Sequence, residues 1–168
     1  MEYYGTYSSP FGLLTINFDD KGVSQLQWSS TTAIECDNTC TDNKHFTQAI
    51  AWLDYYFGKT NEKVELPQLN LDKYTAFHTK VWRVLLEKTK EGMSLSYSDL
   101  AQLIGSPHAA RAVGTAMKRN PLPLFIPCHR VLPKRGGFGS YSGGHGASTK
   151  KQLLEHEARV VKQRKQLE

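Results

Sequence analysis

A thiol, an imidazole and a guanidinium stand side by side at Cys128-His129-Arg130, between Ile126-Pro127 and Val131. Sulfur is the softest strong nucleophile among side chains. It attacks as the thiolate, which needs a base, a cation or a helix N-terminus close by. A Cys-His dipeptide is weak evidence by itself, because such pairs are also structural or belong to zinc sites. The chemistry open to this one depends on what the rest of the chain brings to it.

The last predicted helix brings a carboxylate. Ser148 is read as its N-cap, and Leu153, Leu154, Val160 and Val161 as its apolar stripe. Glu157 lies three or four residues from each of these and so points with the core side chains. A carboxylate there is costly unless it is hydrogen-bonded. If Glu157 holds one ring nitrogen of His129, the other can act as base toward Cys128, directly or through a water. The competing reading pairs Glu157 with Arg130 or Lys150 at the edge of the core. Both stay open on these residues alone.

Ahead of the cysteine the pattern is helical. Phe77, Val81, Trp82 and Leu85 form a core stripe that ends near Glu91-Gly92. Ser96-Tyr97-Ser98-Asp99 has the form of a capping box, opening a short helix that buries Leu100, Leu103 and Ile104 and ends at Gly105. Ser106 and Pro107 predict an N-cap and a first helical position for a second helix, Pro107 to Arg119. Two short helices joined so tightly read as a helix-turn-helix. On the second, Ala109, Val113, Ala116 and Met117 make one face. Arg111, Gly114, Thr115 and Lys118 share the other, which is cationic but built largely from small residues. Such a face lets the helix axis approach a nucleic-acid groove; a solvated structural face is the alternative.

The first seventy residues carry no catalytic constellation. Residues 2–8, the alternating Leu14, Ile16 and Phe18, and Val23 to Trp28 predict three strands, with a turn at Asp19-Asp20-Lys21-Gly22. Phe46, Ile50, Leu53 and Phe57 predict a helix closed by Gly58. Cys36, Cys40 and His45 cluster in the polar stretch between, but three ligands fall short of the usual four for structural zinc. No metal site is expected. The chain has 168 residues, 39% of them hydrophobic, and a net charge of +5, which suits one domain or two small ones and permits a polyanionic partner. No stretch is apolar enough to span a bilayer and no signal peptide is read, so an intracellular protein without membrane contact is expected.

Residues 74–157 resemble the O6-alkylguanine-DNA alkyltransferase family, on Ile126 to Val131 with Asn120-Pro121-Leu122-Pro123 upstream and Tyr141-Ser142-Gly143-Gly144 downstream. The resemblance implies an α+β fold: a small N-terminal antiparallel sheet with a helix, ribonuclease H-like in the family, then a helical domain of winged helix-turn-helix type. It divides the chain into residues 1–60, a linker at 61–73 and a DNA-binding and alkyl-transfer domain at 74–168. It implies single-turnover transfer of an alkyl group from O6 of guanine, and from O4 of thymine, to Cys128, after the nucleotide is flipped out through the minor groove. In the relay it implies, Cys128 acts through a water, His129 and Glu157, with Tyr141 serving the N3 side of the ring and Asn120 joining the DNA helix to the cysteine segment. Tyr97 would turn the target phosphate and nucleotide outward. Met117, Val131, Ser142 and Gly143 would receive the base, the carbonyls of Cys128 and Val131 taking its exocyclic amine. Arg111 would replace the lost nucleotide in the stack, with Ala110, Gly114, Thr115 and Lys118 along the same DNA contact. The implied partner is double-stranded DNA carrying O6-alkylguanine, bound by a monomer without cofactors, in the cytoplasm of a prokaryote or the nucleus of a eukaryote.

One departure stands out. Eight residues, His145 to Gln152, separate Gly144 from Leu153, about two more than the family pattern has. The match of Glu157 then depends on Leu153-Leu154-Glu155-His156-Glu157 keeping its register. Three rival readings share parts of the pattern. Alkyltransferase-like DNA-binding proteins lack the cysteine that is present here. A winged-helix regulator would need a dimerisation or effector element. A Cys-His-Glu hydrolase would need an oxyanion hole.

Overall fold

Alternating side chains build three strands, β1 (Tyr3–Ser9), β2 (Gly12–Asp19) and β3 (Gly22–Trp28), paired antiparallel in that order. The Asp19 carboxylate fixes the β2–β3 turn by accepting the amides of Lys21 (2.8 Å) and Gly22 (3.1 Å). Helix α1 (Lys44–Tyr56) starts at Asn43, whose side chain accepts the amides of His45 and Phe46. It packs on β2 and β3, setting Phe46, Ala49 and Leu53 against Leu14, Ile16, Phe18, Val23 and Leu26. Ala49 lies at the centre of this face, and Ile50 is only half-buried.

The computed structural model describes residues 1–29 and 40–168, and their contacts divide the chain into Met1–Asp72 and Lys73–Glu168. Part of the stretch read as a linker is fastened to the first unit. Val23 donates to the Gln68 carbonyl and Asn70 donates back to Val23, each at 2.8 Å. A Cβ on Gly22 would lie 2.5 Å from that Gln68 oxygen, so the strand needs glycine where the segment crosses it. Cys36 lies outside the described residues. Cys40 is disulfide-bonded, and among the described residues no group of three His, Cys, Asp or Glu is placed to hold a metal ion. No described helix is long and apolar enough to cross a membrane.

The second unit comprises α2 (Ala76–Lys88), β4 (Leu95–Ser96), α3 (Tyr97–Leu103), α4 (Ala110–Lys118), β5 (Val131–Leu132) and α5 (Ala147–Leu167), with β4 and β5 parallel. Buried Trp82 joins α2 to α4 by donating Nε1–H to the Ala116 carbonyl at 3.0 Å. The capping box at Ser96 and Asp99 forms as expected. Leu103, expected in the core, is 45% exposed. In a helix of seven residues the buried side is set by Leu100, Ala101 and Ile104, and Leu103 falls outside it.

Two helix starts differ from expectation. Gly105, at φ 79°, ends α3, and the Ala109 amide then closes a turn onto the Ser106 carbonyl at 2.9 Å. Pro107 therefore serves that turn, where its fixed φ suits the second position, and α4 begins three residues later without a side-chain cap. Helix α5 begins after Gly146, with Ser148 already inside it. The hydroxyl of Thr149, one residue on, accepts the His145 amide at 2.8 Å.

The α3 cap supports Tyr97, the first residue of the helix. Ser96→Ala is expected to cost about 1 kcal/mol of unfolding free energy in urea titrations. Ser94→Ala, at an exposed position just upstream, should be neutral.

Candidate active site

Cys128 is presented by a turn under strain. Asn120 donates Nδ2–H to the Ile126 carbonyl at 2.8 Å and accepts the Leu122 amide at 2.9 Å. Between them the Ile126 amide returns to Leu122 at 2.8 Å, and Leu124 adopts φ 73°, a conformation rare outside glycine. Burial of Leu122, Leu124, Phe125 and Ile126 holds the segment in this shape. Pro127 then leads into a single 3-10 turn, Cys128–Arg130, ahead of β5.

The turn delivers the thiol to a cavity of about 500 Å³. One lip is α4, through Ala110, Gly114, Met117 and Lys118. The other is the loop of Pro133, Gly139, Ser140, Tyr141 and Ser142, with Tyr97 of α3 completing the lining. The loop bends back at Gly144, where φ is 53° and a Cβ would meet the Thr149 hydroxyl at 2.6 Å.

Behind the thiol lies a buried charge cluster. His129 is fully buried and Glu157 is 1% exposed. The Nε2 of His129 lies 2.5 Å from Oε1 of Glu157. Arg130 donates to the same carboxylate, Nε to Oε2 at 3.0 Å and Nη2 to Oε1 at 3.0 Å, and the Gly92 amide approaches Oε2 at 3.3 Å. The two partners that the sequence left as alternatives are therefore held together. Lys150 is elsewhere: it donates Nζ–H to the carbonyls of Val131 at 2.6 Å and Ser140 at 3.4 Å. Glu155 is exposed and near Lys151, so the long loop has not shifted the register of Glu157.

Protonation follows from these surroundings. Burial pushes the Cys128 thiol up, and the Asn120 hydrogen bond, the Lys150 charge and backbone amides only partly oppose it. At rest the sulfur is held as a thiol, so attack requires a base at that moment. Tyr141 is raised well above the ordinary phenol range by burial, then by Cys128 and Glu157, which keeps it a proton donor. Burial lowers Lys150. Burial would raise Glu157, but the electrostatic attraction and hydrogen bond of His129 and the Arg130 fork outweigh it and bring the carboxyl to about 2. Such a set can deprotonate a thiol and donate a proton to a leaving group at one cavity.

Comparison with known proteins assigns the chain to a family. Residues 76–159 match the 6-O-methylguanine DNA methyltransferase, DNA binding domain, and residues 2–72 match the ribonuclease-like domain of the same family. The chain belongs to the 6-O-methylguanine DNA methyltransferase family. The constitutive methylated-DNA–protein-cysteine methyltransferase of Bacillus subtilis is 37% identical over 85% of this chain and 88% of its own. The Rattus norvegicus enzyme of that name is 36% identical over 92% and 81%. The crystal structure of Mycobacterium tuberculosis OGT in complex with DNA is similar at a TM-score of 0.78 and 34% identity, covering 94% of this chain and 93% of that one.

Of the residues that the sequence singles out in this methyltransferase, Cys128, Tyr97, Met117, Tyr141, Ser142, Ala110, Gly114 and Lys118 line the cavity. His129, Glu157 and Asn120 stand behind the thiol. Arg111 and Thr115 are on the exposed side of α4. Val131 and Gly143 are outside the lining. The Val131 carbonyl accepts from Lys150, and the Gly143 carbonyl accepts the Gly146 amide at 3.0 Å. Sequence reasoning missed the lining role of Pro133, Gly139 and Ser140, and the contact of Gly92 with Glu157. A backbone amide leaves no mark in side-chain types, so nothing in the pattern pointed to Gly92.

Glu157 also sets an acid limit. Its carboxyl titrates below its ordinary 4.5 only in the folded chain, so its pairing stabilises the fold above that pH and is lost as pH falls toward about 2. Glu157→Gln should be less stable than wild type near neutrality. The gap should narrow by about 2 kcal/mol between about pH 6 and about pH 3 in urea unfolding; a constant gap would contradict the shared pairing.

Proposed function

We propose that this chain repairs alkylated DNA by moving an alkyl group from O6 of guanine to Sγ of its own Cys128, once per molecule. The observation that carries this is a buried thiol facing a base-sized cavity, followed in sequence by a histidine tied to a buried carboxylate. His129, oriented by Glu157, takes the thiol proton through a water. The thiolate attacks the alkyl carbon in line, forming the S–C bond as the C–O6 bond breaks, and guanine leaves as an anion. Tyr141 supplies a proton on the N3 side, and Ser142 hydrogen-bonds O6. A thioether does not hydrolyse, so the reaction ends there. O4-alkylthymine presents the same alkyl–oxygen bond and is the second substrate.

An atom on a base edge inside a duplex cannot reach a thiol at the floor of a cavity, so the nucleotide is extruded. In this reading α3 and α4 act as a winged helix-turn-helix, with α4 in the minor groove. Tyr97 turns the phosphate outward, Arg111 fills the gap in the stack, and Thr115 and Lys118 meet the backbone. The protein works as a monomer in whichever compartment holds the DNA. Incubation with duplex containing O6-methylguanine is expected to add a single methyl mass, on Cys128, and then stop. Repeated turnover, or a methyl group mapped to another residue, contradicts the mechanism.

Gly114 gives an internal check on the groove face. A glycine inside a helix costs roughly 0.5–1 kcal/mol relative to alanine. Among the described residues nothing demands it here, because a Cβ would make only ordinary 3.9 Å contact with the Tyr97 ring. What demands it lies outside, in the close approach of DNA. Gly114→Ala is expected to raise the unfolding midpoint while lowering duplex affinity and repair; unchanged repair would remove α4 from the groove.

A further inference from the structure

Arg130 follows the two residues assigned to proton transfer and has no part in the steps above. Its guanidinium is buried, 6% exposed. It grips Glu157 as a fork, Nε to Oε2 at 3.0 Å and to Oε1 at 3.2 Å, and Nη2 to Oε1 at 3.0 Å. Its remaining end, Nη1, donates to the Thr89 hydroxyl at 3.3 Å. That hydroxyl spends its own proton on the Leu85 carbonyl at 2.8 Å, which leaves its oxygen a fixed acceptor. The guanidinium is therefore locked between the C-terminal end of α2 and the middle of α5.

A buried ion pair is poor ground for stability alone, since apolar residues of similar volume often do as well. What distinguishes this pair is that Oε1 is shared: the oxygen that meets His129 also accepts from Nη2. The fork fixes the plane of the carboxylate, and with it the direction from which Oε1 meets the ring. The permanent charge of arginine also makes the pair neutral as a unit. A buried carboxylate with no other cation beside it favours imidazolium, which has no lone pair left for the thiol's proton. Against a neutralised pair the ring can donate Nε2–H to Glu157 and keep Nδ1 as acceptor.

We propose that Arg130 is a positioning residue for alkyl transfer: it aims Glu157 at His129 and balances its charge, so that the ring stays able to take the Cys128 proton. This rests on the relay reading given above. Lys150 on α5, Tyr97 on α3 and Tyr141 in the loop also face Cys128. All three are unchanged in the variants below, so differences between variants report Arg130.

Transfer from O6-benzylguanine as the free base, followed from about pH 5 to about pH 9, separates charge from geometry without involving DNA. Arg130→Lys keeps the charge and loses the fork; it is expected to react about tenfold more slowly with its pH profile in place. Arg130→Gln loses the charge as well. Its profile should move to higher pH by about one unit, because removing a cation raises the pKa of neighbouring acids. Thr89→Val leaves every charge in place and decides the matter if the arginine variants do not fold; about threefold slower transfer is expected from a loosened fork. Wild-type rate and profile in the folded variants, beside a slowed Glu157→Gln, would reduce Arg130 to core filling and overturn the proposal. A wild-type rate in Glu157→Gln would overturn the relay and this inference together, while single methylation of Cys128 by DNA would still stand.

Discussion

One buried carboxylate organises the second unit. Glu157 gives up nearly all its hydration and recovers it from three directions: His129, Arg130 and the Gly92 amide. These lie on the 3-10 turn and on the loop after α2, while Glu157 itself belongs to α5. The penalty for leaving such a charge unpaired is several times the net worth of an ordinary hydrogen bond. The three segments are thus held in one arrangement by a constraint that apolar packing alone would not impose. His129, the thiol's neighbour in sequence, cannot drift from Glu157 without exposing that penalty.

The cysteine is positioned by the opposite means. Between Asn120 and Cys128 the chain accepts a left-handed leucine and compensates with four buried apolar side chains and the hydrogen bonds of the asparagine. Strain held this way is a feature of sites where a reactive atom must be placed rather than merely packed. Asn120 serves both ends of the arrangement, since its hydrogen bonding also opposes the rise in the thiol's pKa.

Much of this was legible in the sequence, and what was not has physical reasons. Period-two alternation gave the three strands, and a capping box gave the start of α3, because both signals are local. Glu157 could be placed in the core from helical spacing, but its partner could not, because spacing says which way a side chain points and not what meets it. The structure resolved that choice by keeping both candidates, which a list of exclusive pairings could not anticipate. The start of α4 was misread because Ser-Pro suits a turn as well as a helix N-terminus; the Ala109–Ser106 hydrogen bond decides between them. Leu103 was misread because a helix of two turns buries only a narrow stripe. The strained leucine left no trace, since its neighbours look like any apolar run.

Lys150 shows most clearly how a residue's type can mislead about its partner. A lysine close in sequence to a buried glutamate invites an ion pair, yet its ammonium lies on the carbonyl of Val131 in β5 and that of Ser140 in the loop that forms one lip of the cavity. Two carbonyls accept from its ammonium but do not cancel its charge, so burial still depresses its pKa. The Arg130 fork already occupies the carboxylate, and the charge of Lys150 acts on Cys128 instead. A cation kept from the carboxylate gains most when a thiolate forms beside it. Its unfavourable burial in the resting state and the raised thiol are then two sides of the same arrangement, relieved together when the sulfur loses its proton.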